Sequence, residues 1–290
     1  MSSSGESGAT EQGLVLLGVL GDPIKHSKSP LMHKIALQAA GIEGDFVPLH
    51  VKPDQLEDAM KGIRALHFRG VNVTIPHKVE VMKYLDEIDE GARLIGAVNT
   101  IVNDNGRLKG YNTDGIGYVR SLKEETSVEL KGAKIAVLGA GGAARGVIHA
   151  LLEERPESVM ILNRTRDKAE QLAQEWTTEA IPVTGYANDE AKNVLATVDV
   201  LINTTSVGMS PLSDELPLET SLIPKGIIVS DLIYNPLETR LLRESREQRG
   251  CIVHGGLGMF VYQGAVAFEY FTGIAPAVDQ MRAAVLRSLS

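Results

Sequence analysis

The run Lys134-Ile135-Ala136-Val137-Leu138-Gly139-Ala140-Gly141-Gly142-Ala143-Ala144-Arg145 constrains this chain more than any other stretch. An apolar segment of strand length enters a glycine turn and then a helix-forming segment. That order puts a pyrophosphate against a helix N-terminus. Gly139 suits the tight turn and Gly141 lets the backbone approach phosphates. The small Ala144, standing where the strict GxGxxG pattern has its third glycine, lets helix and strand pack closely. A second apolar run, Val159-Met160-Ile161-Leu162, ends about two dozen residues beyond Gly139. NAD-binding folds of this type place an Asp or Glu there, on the ribose 2′-hydroxyl. This chain has Asn163-Arg164-Thr165-Arg166 instead, with Lys168 just beyond. Cations and hydroxyl donors suit a 2′-phosphate, so the pattern predicts NADP rather than NAD.

A chain of 290 residues, 43% hydrophobic and 23% charged, is long enough to build two cores. Its net charge of −8 argues against nucleic acid as a partner and makes the Arg164 cluster a local feature. The single cysteine, Cys251, excludes an intrachain disulfide and a thiolate zinc framework, and fits a reducing cytoplasm. The seven histidines form no HExxH pair, so no metal is expected. No apolar stretch is long enough to span a membrane. Residues 1–13, rich in Ser, Gly and Glu, read as a disordered tail rather than a signal peptide.

Residues 14–113 alternate strand and helix patterns. Strands are expected at 15–20, 45–51 and 70–74. Helices are expected at 30–41, from an Asp54 cap to 66, from Pro76 onward, and at 86–95. Asn105-Gly106 marks a hairpin between 98–102 and 107–111, so one antiparallel element enters an otherwise parallel sheet. Residues 114–255 repeat the rhythm. Strands are expected near Ile135, Met160, 181–183, 200–202, 227–230 and 252–253, with helices at 115–125, 144–153, 166–176, 189–195 and 239–249. Residues 256–290 are helical from 258 and are expected to cross back onto the first domain. The predicted architecture is α/β in two domains: a mostly parallel α/β substrate domain and a doubly wound Rossmann NADP-binding domain.

Polar clusters fall at strand ends and loops of the first domain. In His26-Ser27-Lys28-Ser29-Pro30, two hydroxyls one residue apart can hold a polyol or carboxylate; equally, Ser29 can be a helix N-cap before Pro30. In Asn72-Val73-Thr74-Ile75-Pro76-His77-Lys78, Asn72 and Thr74 share a strand face. Lys78 would lie at a helix start, where the dipole disfavours a cation, which points to either a functional or a solvated lysine. Asp114 can cap the next helix or meet Lys78 as an acid–base couple. The loop Asn203-Thr204-Thr205-Ser206-Val207-Gly208-Met209 follows a Rossmann strand and can flank the cofactor or be an ordinary βα connection.

These clusters, with Gly96-Ala97-Val98-Asn99-Thr100, Asn112-Thr113-Asp114-Gly115 and Gly255-Gly256-Leu257-Gly258-Met259, resemble in their order the shikimate dehydrogenase family, from about Val15 onward. The resemblance implies NADPH-dependent, reversible reduction of 3-dehydroshikimate to shikimate in aromatic amino acid biosynthesis. It implies that Ser27 and Ser29 hold the substrate carboxylate, with Tyr234 nearby. Thr74, Asn99, Asp114 and Gln263 would contact the ring hydroxyls and the carboxylate region. Lys78 would transfer the proton, paired with Asp114. For the cofactor it implies Gly139, Ala140, Gly141, Gly142 and Ala143 around the pyrophosphate, and Asn163, Arg164, Thr165 and Lys168 at the adenosine end. Leu232, Gly256 and Met259 would lie at the nicotinamide, with Glu90 as a further contact. The implied partner is a small-molecule substrate, with the chain a monomer or homodimer.

Overall fold

The computed structural model describes residues 14–289; the tail expected at 1–13 lies outside the described residues. The chain runs β1 (Val15–Gly21), α1 (Ser29–Ala39), β2 (Gly44–His50), α2 (Leu56–Ala65), β3 (Gly70–Val73), β4 (Glu87–Ile88), α3 (Glu90–Ile95), β5 (Thr100–Asp104), β6 (Arg107–Tyr111) and α4 (Asp114–Thr126). It continues with β7 (Lys134–Leu138), α5 (Gly142–Glu153), β8 (Ser158–Asn163), α6 (Arg166–Trp176), β9 (Val183–Ala187), α7 (Ala191–Val194), β10 (Val200–Asn203), β11 (Ile228–Asp231), α8 (Arg240–Arg249), β12 (Ile252–His254), α9 (Gly256–Thr272) and α10 (Val278–Leu289).

Two six-stranded sheets result, in the orders β2-β1-β3-β5-β6-β4 and β12-β11-β10-β7-β8-β9. In the first, only β5 runs against its neighbours β3 and β6; the other pairings are parallel. The hairpin β5–β6 turns at Asn105 (φ 50°) and Gly106 (φ 90°), the two left-handed residues whose twist matches that of paired strands. The second sheet is parallel throughout, and its order reverses between β7 and β10. A crevice opens at the strand ends there, the usual ligand position in such a sheet.

Both faces of each sheet are covered, which is why β1 and β7 are nearly continuous apolar runs rather than alternating ones. One face of the first sheet packs Leu20, Val71 and Ile101 against Leu56, Met60 and Ile63 of α2. On the other, Leu17, Val19, Met32 and Phe46 meet Val261, Phe268 and Phe271 of α9 and Met281 and Val285 of α10. The return of the C-terminal helices to the first sheet is therefore observed. Glycines let the linking helices approach closely: a Cβ on Gly115 of α4 would lie 2.1 Å from the Gly146 carbonyl oxygen of α5. One on Gly117 would lie 2.4 Å from the backbone nitrogen of Gln263 in α9.

Several local expectations differ from the structure. Residues 75–79 form turns and a 3₁₀ segment follows at Glu80–Tyr84, so Lys78 does not start an α-helix. The helix expected at 86–95 is a short strand, β4, followed by α3, because Glu87 and Ile88 pair with Lys109 and Gly110 of β6. Asp54 lies within a 3₁₀ turn and does not cap α2. β9 begins at Val183, later than the expected 181.

Candidate active site

Lys78 is fixed in its turn by its own backbone, whose carbonyl accepts the Val98 N–H at 2.8 Å. Its Nζ reaches Asp114 Oδ2 at 2.6 Å. Asp114 is the first residue of α4, and the N-cap position belongs to Thr113. The Asp114 carboxylate is therefore turned to Lys78 and not spent on a cap. Its other oxygen, Oδ1, accepts from Asn99 Nδ2 at 2.8 Å, and its N–H donates to Asn112 Oδ1 at 3.1 Å. Asn99 is itself held. Its Oδ1 accepts from the Thr113 N–H (2.9 Å) and Thr100 Oγ1 (2.9 Å), which fixes the amide orientation. Asn72, on the neighbouring β3, donates to the Asn99 carbonyl and to Thr100 Oγ1. A buried polar network thus aims an ion pair whose side chains, 31% and 24% exposed, still face the cleft.

That cleft, about 470 Å³, holds Ser27, Ser29, Thr74, Lys78, Asn99, Asp114, Tyr234 and Gln263 together, with Leu232, Gly256 and Met259 in its wall. These residues come from both ends of the sequence. Ser29 is the first residue of α1, not its N-cap, and its N–H donates to Ser27 Oγ at 3.3 Å. Tyr234 stacks on Phe260 with ring centroids 5.1 Å apart, and burial pushes its phenol above the ordinary value. Gly256 is obligatory: a Cβ there would lie 2.0 Å from the Leu232 carbonyl oxygen. His77, given no role by the sequence, is buried with Nε2 2.7 Å from the Val51 carbonyl oxygen and braces the turn behind Lys78.

A second cleft, about 710 Å³, adjoins the first and shares His26, Ser27, Lys28, Leu232 and Tyr234 with it. It reaches Ala143 at the start of α5 and Thr204, Thr205 and Ser206 after β10. Gly139 has φ 104°, and a Cβ there would meet Thr204 Oγ1 at 2.8 Å. Gly141 and Gly142 face open space, with nothing within 4 Å of a built Cβ. This is the cradle a pyrophosphate needs: free N–H groups at a helix start and no side chains above them. In the sequence Thr204 to Ser206 allow two readings, as a cofactor-flanking loop or an ordinary βα connection. The fold puts them across the switch point from Gly139, lining the second cleft.

At the far end of β8, Asn163 Nδ2 donates to the Thr165 carbonyl at 2.8 Å and shapes the turn. Arg164 and Lys168 are exposed and, among the described residues, in no ion pair. Arg166 is different: it binds Glu170 at 2.7 Å and Glu190 at 3.1 Å. Glu90 is exposed at the start of α3 and lines neither cleft. Among the described residues no cluster of three or more His, Cys, Asp or Glu could hold a metal, and no helix is long and apolar enough to cross a membrane.

Fold and site together define a dinucleotide-binding α/β protein with two sheets and a polar cleft at its waist. Family models for the shikimate dehydrogenase substrate binding domain, shikimate / quinate 5-dehydrogenase and the shikimate 5′-dehydrogenase C-terminal domain match residues 19–101, 121–219 and 256–286. A shikimate dehydrogenase (NADP(+)) of Geobacillus sp. (strain WCH70) is 52% identical over 274 residues, 94% of this chain and 98% of the relative. The shikimate 5-dehydrogenase of Thermus thermophilus, solved with NADP(H) and shikimate, is 38% identical with a TM-score of 0.85, covering 95% of this chain and 100% of that one. The Listeria monocytogenes shikimate 5-dehydrogenase, solved with shikimate and NAD, is 36% identical with a TM-score of 0.88, covering 94% and 96%. The chain belongs to the shikimate dehydrogenase family.

Proposed function

We propose that this chain catalyses the reversible NADPH-dependent reduction of 3-dehydroshikimate to shikimate. The observation that carries the reading is the Lys78–Asp114 pair, 2.6 Å apart, in a cleft that joins, at Ser27, Leu232 and Tyr234, a second cleft reaching Ala143 at the start of α5. NADPH, when bound, supplies the hydride. Lys78 Nζ gives a proton to the ring carbonyl oxygen as it becomes an alkoxide, and takes it back in the oxidative direction. Asp114 holds the ammonium in place, and Asn99 fixes the carboxylate that does so. Ser27, Ser29 and Tyr234 receive the substrate carboxylate. Thr74, Asn99, Asp114 and Gln263 orient the ring hydroxyls, so that alignment contributes to the rate. When NADPH is bound, the N–H groups from Gly139 to Ala143 would hold the pyrophosphate, and Arg164 and Lys168 the 2′-phosphate. Leu232, Gly256 and Met259, in the cleft wall, would face the nicotinamide when NADPH is bound.

Residues 14–113 and the returning 256–290 make the substrate domain in this reading, and 114–255 the cofactor domain. The buried, unpaired thiol of Cys251 suits the cytoplasm, where such a step belongs. The test is a spectrophotometric assay with shikimate and quinate, each with NADP⁺ and NAD⁺. Turnover of shikimate with NADP⁺ well above the other three combinations is expected. Preferential use of quinate with NAD⁺ would overturn the assignment.

A further inference from the structure

The two halves also touch behind the catalytic cleft. Arg145 lies in the first turn of α5, and its N–H donates to the Gly141 carbonyl at 3.1 Å. Its guanidinium crosses to the other half. Nε donates to the Ile95 carbonyl at 3.2 Å, while Nη2 meets Glu175 of α6 at 2.5 Å. Ile95 is the last residue of α3, capped by left-handed Gly96 (φ 77°). Carbonyls of a last helical turn lack partners and carry the negative end of the helix dipole, so a guanidinium is favoured there on both counts. Glu175 holds the second arm, which leaves the planar fork little freedom.

The acceptor's neighbours give the contact its meaning. The Ala97 carbonyl accepts from Asn112 Nδ2 at 3.0 Å, and Asn112 in turn accepts the Asp114 N–H. The Val98 N–H holds the Lys78 carbonyl, and Asn99 holds the Asp114 carboxylate. These bonds orient the Lys78–Asp114 pair, and they begin within four residues of the carbonyl that Arg145 grips. On its own side, Arg145 shares a helical turn with the glycine loop. We propose that Arg145 is a positioning residue that couples the phosphate loop to the Lys78–Asp114 pair, so that filling either subsite improves the geometry of the other. This rests on the dehydrogenase reading above.

NADPH and shikimate are both reduced and do not react together, so their mutual effect on binding can be titrated calorimetrically without turnover. Coupling between two such sites commonly lies between about 5- and 150-fold. In the unaltered enzyme NADPH is expected to tighten shikimate about tenfold. In Arg145→Ala that factor falls to near one and kcat falls about tenfold, while each ligand alone binds within about threefold of normal. Glu175→Gln alters only the outer anchor on exposed α6 surface and is expected to lose part of the coupling, in the same direction. Absence of coupling in the unaltered enzyme, full coupling in both variants, or single-ligand losses as large as the coupling loss would each overturn the inference. Failure of the unaltered enzyme to oxidise shikimate with NADP⁺ would instead overturn the dehydrogenase reading, since the titration needs no turnover.

Discussion

Arg164→Ala separates NADPH from NADH by a calculable amount. Arg164 is exposed on the turn after β8 and, among the described residues, its guanidinium is in no ion pair, so its charge is available to a phosphate. A hydrogen bond to a charged group contributes about 1.5–3 kcal/mol, and 1.4 kcal/mol is a factor of ten. The expected rise in the NADPH Michaelis constant is therefore about tenfold to a hundredfold, with full solvent exposure favouring the lower end. NADH carries no 2′-phosphate, and its constant should stay within about twofold. The molecule supplies its own control two residues away. Arg166 has the same charge, but Glu170 at 2.7 Å and Glu190 at 3.1 Å already neutralise it. Arg166→Ala should move the NADPH constant by less than about threefold. Initial rates at varied NADPH and NADH, at low and high salt, measure all of this. The Arg164 effect should shrink at high salt, because exposed charges are screened over about 8 Å even at physiological ionic strength. Equal loss of NADPH and NADH activity in Arg164→Ala, or an Arg166→Ala effect as large, would refute the reasoning.

Lys78→Ala is expected to lower kcat by about 10²- to 10⁴-fold with shikimate affinity within about tenfold. Asp114→Asn should also be slow, and the double variant should lose less than the product of the two; strict multiplication of the losses would argue that the residues act separately. Gly115→Ala drives a Cβ to 2.1 Å from the Gly146 carbonyl oxygen and should cost at least about 1–3 kcal/mol in urea unfolding. Gly141→Ala, whose Cβ meets nothing within 4 Å, should unfold like the parent yet raise the NADPH Michaelis constant at least about tenfold, and equal stability losses in the two variants would contradict this. Burial holds His254 neutral, with its pKa down from 6.5 to about 4. The unfolded chain binds that proton first as pH falls, so this stability is complete above about pH 6.5 and is lost on descent to pH 4. The loss is about 3 kcal/mol. His254→Gln should flatten the urea midpoint against pH over that window, and parallel slopes would exclude the histidine as the cause.

What could be read from the sequence was what depends on neighbours along the chain. The helix Arg166–Trp176 and the Asn105-Gly106 turn fall where expected, because periodicity and turn chemistry are local. Residues 86–89 read as helix and are not, because the pairing of Glu87 with Lys109 is a contact between distant segments that no local pattern announces. The same limit governs the site. From neighbours alone Asp114 reads equally as a cap or as a partner of Lys78, and only the fold brings Lys78, remote in sequence, against it. Arg166 is one more cation of the basic turn in the sequence, and only the fold places Glu190, 24 residues on, against it. The cofactor loop was legible because strand, glycine turn and helix are consecutive. The place of Thr204 to Ser206 in the crevice was not, because it follows from β10 lying next to β7.

The return of α9 and α10 to the first sheet has a consequence for how the molecule is made. Every strand of the second sheet lies between Lys134 and His254, so all of them are synthesised before α9 and α10. The first sheet, translated earlier, then still lacks these two helices. Leu17, Val19, Met32 and Phe46 wait for Val261, Phe268, Phe271, Met281 and Val285 to arrive. The oldest part of the nascent chain therefore carries a bare apolar face longest, exposed to chaperones and to aggregation. A messenger broken shortly after the codon for His254 would yield all the strands of the second sheet attached to a first sheet without its α9 and α10 cover.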